Sequence, residues 1–561
     1  MRRARWAADA LLVPLAAVAA GAALSSALAA QAPSMAGRSE VYAPQAIAAT
    51  SHPLASAAAL EVMRAGGNAI DGAVSAAAVL SVVEPHMTGI GGDMFAIVWL
   101  ARSQRLVALN ASGRAGARMT PAAFAAQGLR SVPRDARAIT VPGALAGWDL
   151  LVRTHGRRSL AQALAPAIRY AKGGFPVSPI IAQQWADEAA FLRRDPGATA
   201  TFLPGGRAPT AGEWFTNADY ARTLETIAAR GIGGFYGGAL GQSLVRHVRS
   251  LGGFLDDDDL TSMRPTWVTP ISVPFGGYRV WELPPNNQGI AVLEMLRILE
   301  PYDLRALGHN SPAYLHRLIE AKKLAYADLD RFVGDADHLD GPIERLLSDA
   351  FIAERRALLD TVRAQPRVDP GPARTKSETI YLTVADAEGN MVSFINSNFD
   401  SFGSGVVVPG TGFALHNRGE AFTLAPGLPN TVAPGKRPFH TLIPGFVTRT
   451  EGGREVAYMS FGLMGGGMQA QGHVQLLLNL FTFGMSPQQA VDAARVRHLS
   501  GLRVGLEPPF GEGVRRALAA MGHVPVSLDN AAYGGAQLII RLPRGWVAAS
   551  DPRKDGLAIG Y

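Results

Sequence analysis

The chain has no cysteine in its 561 residues. That absence removes disulfide scaffolds, thiolate zinc sites, iron–sulfur clusters and cysteine nucleophiles together, so any covalent catalyst must use oxygen or nitrogen. Charged residues are sparse at 18%, against 48% hydrophobic, and 62 Gly and 37 Pro are spread throughout. A disordered acidic chain, a coiled coil and a collagen are thereby excluded. No strong excess of one charge exists either. Formal charge is +7, and residues 1–30 hold three Arg and one Asp, so the remainder carries only +5. A charge that diffuse gives no reason to expect nucleic acid. Beyond about Leu28 no apolar run is long enough to cross a bilayer.

Arg2, Arg3 and Arg5 precede an apolar run from Leu11 to about Leu28, and Ala27-Leu28-Ala29 then offers a small-residue cleavage site before Gln31. This reads as an export signal over residues 1–30, giving a periplasmic or secreted protein. The competing reading is an uncleaved membrane anchor, since ~18 apolar residues can just span a bilayer.

The rest alternates helix and strand patterns, without internal repeat. A helix over Pro53–Arg64 ends at Gly66-Gly67, and Asn68 with Asp71 opens a second that runs to about Val83. Met94–Leu100 and Leu106–Asn110 form a hairpin. A mostly helical middle follows, its clearest helix starting at Ser311 and Pro312. Residues 361–378, TVRAQPRVDPGPARTKSE, have three Pro, one Gly and no apolar period, the marks of an exposed, mobile loop.

A strong strand pattern begins directly after that loop. Ile380, Leu382 and Val384 alternate with Tyr381 and Thr383, Asp386 to Asn390 make a turn, and Met391 to Ser397 run back. Pairing Ala385 with Met391 places Thr379 opposite Ser397. A threonine hydroxyl is a poor nucleophile unless a base stands beside it, and one solution uses the residue's own α-amino group, freed by backbone cleavage. That amine titrates near pH ~8, close enough to neutrality to take a proton. Cutting Glu378 from Thr379 would create the arrangement; the bland alternative is a threonine that merely begins a strand.

The wider sequence bears on that choice. HPLASAAALEVMRAGGNAIDGAVSAAAVLSVVEPHMTGIGGDMF, VPGALAGW at 141–148, GGFLDDDDL, ELPPNNQGIAVLEMLRILE, SETIYLTVADAEGN, FGSGVVVPGTGFALHNRG, PGKRPFHTLIP and SDPRKDGLAIGY together resemble the γ-glutamyltransferase family (γ-glutamyl transpeptidase, glutathione hydrolase) from about Ala43 to Tyr561. The resemblance implies an α+β fold, the αββα four-layer sandwich of N-terminal-nucleophile hydrolases. It also implies a proenzyme that cuts itself between Glu378 and Thr379 into a large subunit (31–378) and a small one (379–561), each the other's partner in one sandwich.

Carried over residue by residue, Thr379 matches the nucleophile and Ser397 a second hydroxyl near it. Gly465 and Gly466 match paired glycines whose N–H groups stabilise the oxyanion, and Arg114 matches the arginine that grips the glutamyl α-carboxylate. Other positions depart from the pattern. Phe399 stands for an asparagine, Arg418 and Ala421 for a glutamine and an aspartate around the substrate amino group, and His440 and Thr441 for paired serines. An acid for the substrate's ammonium is missing unless Glu420 replaces it. This resembles the divergent branch that includes cephalosporin-acylase-like members acting on dicarboxylic acyl amides.

The expected function is therefore an exported, self-processing amide hydrolase or acyltransferase. Its substrate is a small γ-glutamyl (glutathione-like) amide or, alternatively, a glutaryl or related dicarboxylyl amide. A non-catalytic binding protein on the same fold is the reading from another class. Neither cofactor nor metal is expected. Asp256 to Asp259 read as a solvated cap, Gly89, Gly91 and Gly92 as a tight turn, and His440 and His473 as hydrogen-bonded histidines without ligand spacing.

Overall fold

Alternation along one strand sets up the architecture. From Glu378–Ala385, Ile380, Leu382 and Val384 face a core shared with the helices Pro53–Arg64, Ala69–Val83, Ala144–His155 and Leu160–Gly173. Tyr381 points to the opposite face, into a core with Phe446, Ile539 and Trp546 of another sheet. The far face of that second sheet supplies Val280, Val447, Met459 and Leu538 to a third core with the helices Gly289–Leu299, Pro312–Phe332 and Met468–Leu477. The layers run helix, sheet, sheet, helix: the expected αββα sandwich. The computed structural model describes residues 37–366 and 378–561, so the export signal and residues 367–377 of the loop lie outside the described residues. Ser39–Tyr561 cluster as one compact unit.

Among the described residues each large sheet has seven antiparallel strands. The first runs Leu557–Gly560, Ile47–Thr50, Glu378–Ala385, Met391–Phe399, Asp93–Leu100, Arg105–Ala111, Thr266–Val268. The second runs Val41–Ala43, Trp546–Ser550, Gly535–Arg541, Arg454–Met464, Gly445–Glu451, Tyr278–Glu282, Ile271–Phe275. Segments from before and after Thr379 interleave in both sheets.

Local signals fix the helix starts. Asn68 and Asp71 form a capping box at Ala69–Val83, and the Ser311 hydroxyl accepts from Tyr314 N at the head of Pro312–Phe332. Asp256 caps the short helix Asp257–Thr261 in a box with Asp259. Two expectations need correction. The middle also contributes Thr266–Val268, Ile271–Phe275 and Tyr278–Glu282, which finish one edge of each sheet. The expected loop 361–378 does not begin loose: Ala364 N donates to Met521 O (2.7 Å), and Lys323 Nζ to Gln365 O (3.0 Å). No helix among the described residues is long and apolar enough to cross a membrane.

Candidate active site

Thr379 lies fully buried near the start of its strand. The expected register holds from Ala385↔Met391 to Ile380↔Asn396, then slips by one residue, so that Glu378 faces Phe399. The bulge leaves Thr379 Oγ1 donating to Ser397 Oγ at 3.2 Å. Ser397 Oγ also accepts from Phe399 N at 2.8 Å. The two hydroxyls thus meet as the hairpin arithmetic expects, through a bulge that alternation does not reveal.

Behind Ser397 stands a buried acid. Asp93 is its cross-strand partner. Asp93 Oδ1 accepts from Gly113 N (2.9 Å) and Gly143 N (3.1 Å), while Oδ2 lies 3.0 Å from His440 Nε2 and 3.3 Å from His416 Nδ1. Burial pushes this carboxyl up, but attraction to His416 and hydrogen bonding with both imidazoles outweigh it and hold Asp93 well below the usual carboxylate range. His440 goes the other way. Burial, then repulsion from Arg418, lower its pKa to about 3 against the pull of Asp93. It is therefore neutral at ordinary pH, with Nε2–H on the carboxylate. Gly92 before Asp93 is more than a turn residue: a Cβ there would sit 2.3 Å from Ser397 O. Only glycine lets the two backbones approach this closely.

A central strand of the second sheet, Arg454–Met464, runs into Gly465-Gly466-Gly467, which leads to the helix Met468–Leu477. Gly465 and Gly466 have φ of +116° and +59°, a region where side chains strain the backbone. Their carbonyls accept from Met468 N (2.9 Å) and Gln469 N (3.0 Å), making the turn the N-terminal edge of the helix. The first N–H groups of a helix have no partner within it, and the helix dipole favours negative charge there. This is the physical requirement for holding an oxyanion.

Arg418 is fully buried with its guanidinium over the Phe399 ring (4.2 Å) and Nη1 donating to Thr441 Oγ1 (3.3 Å). It brings a positive charge to the residues flanking Ser397 and His440. Glu420, by contrast, is exposed and accepts from Asn417 Nδ2 (2.8 Å). Arg114 sits farther out, half-exposed, and already holds two carboxylates: Nη1–Asp335 Oδ2 at 3.2 Å and Nη2–Asp337 Oδ2 at 2.8 Å. Thr379, Ser397, His440, Thr441 and Arg418 are linked by contacts; Arg114 is the neighbour of Gly113, which donates to Asp93, and Glu420 is bonded to Asn417.

The family model for gamma-glutamyltranspeptidase matches residues 55–561. The chain belongs to the gamma-glutamyltranspeptidase family. It is similar to the glutathione hydrolase-like YwrD proenzyme of Bacillus subtilis (strain 168), 36% identical over 521 residues that cover 91% of this chain and 97% of that one. It is 37% identical over 524 residues to the acylase ACY 1 proenzyme of Pseudomonas sp. (strain SE83), covering 91% and 92%. Among solved structures, the cephalosporin acylase from Bacillus halodurans superposes with a TM-score of 0.88 at 41% identity, over 94% of this chain and 98% of that one. The protein is accordingly an enzyme of this family, with the N-terminal-nucleophile hydrolase fold.

For this family member the sequence reading missed Asp93, His416 and Gln288. Their partners lie far along the chain and no spacing signal marks them; Asp93 and His440 are 347 residues apart. Three further histidines stand in hydrogen-bonded pairs. His473 Nδ1 meets Glu282 Oε1 at 2.8 Å. His316 Nδ1 meets His523 Nε2 at 2.8 Å, and these two with Glu320 bring their ligand-type atoms within 4.8 Å of one another. There Lys323 Nζ, 2.7 Å from Glu320 Oε1, already supplies the cation. The group ties Asp360 and Gln365, at the stem of the loop, to the helix Pro312–Phe332.

Proposed function

We propose that the protein is an exported, self-processing amidohydrolase whose nucleophile is Thr379, freed by cleavage after Glu378, and whose preferred acyl donors carry a carboxylate. The observation that carries this reading is the burial of Thr379 and its hydrogen bond to Ser397 on the face between the two sheets. In the cleaved form Thr379 Oγ attacks the amide carbonyl and its proton passes to the α-amine of the same residue. Gly465 and Gly466 hold the oxyanion through their N–H groups. The C–N bond breaks as the leaving amine takes that proton. Water then attacks the acyl ester, restoring the hydroxyl and releasing the acid; another amine in place of water gives transfer. Because both subunits, 31–378 and 379–561, contribute strands to each sheet, cleavage leaves them interlocked.

Substrate choice follows from the charges around Ser397. The charge of Asp93 is met by His416, His440 and two backbone N–H groups, and Glu420 is exposed and bonded to Asn417, so the buried Arg418 beside Thr441 favours a carboxylate over an ammonium. A glutaryl amide keeps the carboxylate and lacks the amine. It should be cleaved at least as well as the γ-glutamyl amide with the same leaving group, consistent with the acylase names of two of the similar proteins. Side-by-side kcat/KM values test this. A tenfold preference for the γ-glutamyl donor, ~1.4 kcal/mol of amine recognition, would instead favour glutathione-type hydrolysis. The leader over residues 1–30 supports export.

A further inference from the structure

The turn Gly465-Gly466-Gly467 is held by its own helix, through Met468 N, Gln469 N and Gln471 Nε2, and also from outside it. Gln288, at the head of the helix Gly289–Leu299, is fully buried. Its Nε2 donates to Thr441 O at 2.6 Å and to Gly466 O at 2.9 Å, so one carboxamide uses both protons to join the pocket wall to the turn. Its Oε1 accepts from Tyr326 Oη at 3.3 Å, and the same hydroxyl lies 2.6 Å from Gly467 O. Tyr326 is in turn fixed by Lys322, whose Nζ lies 3.9 Å from the ring centroid. Three successive elements, the segment 440–441, the turn 465–467 and the helix Pro312–Phe332, therefore meet on one amide and one phenol.

We infer that Gln288 and Tyr326 are positioning residues for the oxyanion turn, a role that rests on Gly465 and Gly466 being the oxyanion donors. The carbonyls of Gly466 and Gly467 lie on the C-terminal side of the two donor N–H groups, so holding both anchors that end of the turn and limits rotation of the preceding peptides about the positive-φ glycines. The second proton of Gln288 ties the same turn to Thr441, beside Arg418, so the group that receives the acyl donor and the group that receives the negative charge share one support. An error of ~1 Å at such a site costs about 100-fold in rate, whereas ground-state binding, made through other groups, changes little.

The test compares Gln288→Met and Tyr326→Phe, which keep volume and remove the hydrogen bonds, with Gln475→Met. Gln475 is a buried glutamine of the same core that bridges Gln471 O and Val496 O. Each variant is purified as the full chain and assayed on a glutaryl anilide with thermal unfolding measured in parallel. Gln288→Met should lower kcat about 100-fold and Tyr326→Phe about tenfold, with KM within about threefold of the parent. The double variant should lose less than the product of the two, because both act on one turn. Gln475→Met should lower only the melting temperature. Parent-like kcat in Gln288→Met, a loss confined to KM, or fully multiplicative losses would overturn the inference. Gly466→Val, run beside them, separates the failures: normal turnover there would instead overturn the assignment of the oxyanion donors.

Discussion

The site has an inner end and an outer rim, and they are built differently. Thr379, Ser397 and Asp93 sit near the ends of strands and, with His440, are buried and held by bonds to backbone and to one another, and the 465–467 turn closes a strand of the second sheet. Arg114, Asp335, Asp337 and Arg437 form an outer ion-pair group, with Arg114 and Asp337 open to solvent. Geometry at the inner end is fixed by the sandwich itself, so chemistry survives changes elsewhere. At the rim the charged partners saturate each other, and none of them is part of a strand.

The largest expected effect strikes the inner end. Thr379→Ala should leave one intact chain and no detectable turnover, read on a denaturing gel and with an amide substrate. Gly466→Val follows: loss of one oxyanion donor costs ~3 kcal/mol, so kcat per folded molecule should fall by orders of magnitude, and because Val at φ +59° strains the backbone the melting temperature should fall as well. Next comes the boundary between the two ends. Truncating a buried charged partner of a ligand costs ~2 kcal/mol or more. Arg418→Lys or Arg418→Gln should therefore depress kcat/KM for glutaryl amides at least about 30-fold, and Arg114→Ala, whose fork is held by Asp335 and Asp337, by clearly less. The reverse order would make Arg114 the carboxylate receiver, as the resemblance alone implies, and move recognition out to the rim.

The smallest effect concerns pH. Burial lowers His52 to about 4 and His86, His440, His473 and His523 to about 3. A histidine whose folded pKa is depressed contributes stability that is present above its unfolded pKa near 6.5 and is lost as pH falls. Glu282 and Glu294, raised by burial, act in the opposite sense, contributing stability below about 4.5 that is lost as pH rises. His155, His309, His316 and His498 are lowered as well, and Asp149, Glu320, Asp328 and Asp400 raised, so lowered histidines outnumber raised acids and the melting temperature should fall between pH 6.5 and 5; a rise over that interval would contradict the assignment of neutral buried imidazoles.

What could be read from sequence was local or carried by resemblance. The capping pair Asn68 and Asp71, the Ser311-Pro312 start and the Thr379 hairpin are each contained within a few tens of residues, and the structure has all three. The strands at 266–282 escaped because they are short and interrupted by Pro274 and by Gly276-Gly277. Asp93 and Gln288 escaped for a different reason: their bonding partners lie 20 to 347 residues away, and a single acid or amide carries no spacing signal. Gly465 and Gly466 could be named only through the family resemblance, since Gly-rich turns are common and the helix that begins after them has no polar cap.

The most direct test of the central claim is N-terminal sequencing of the active enzyme together with mass mapping of its trapped acyl adduct. The account predicts a small subunit beginning Thr379-Ile380-Tyr381 and an acyl group on Thr379. Full activity with Thr379 still internal to the chain, or with the acyl group on another residue, would contradict it.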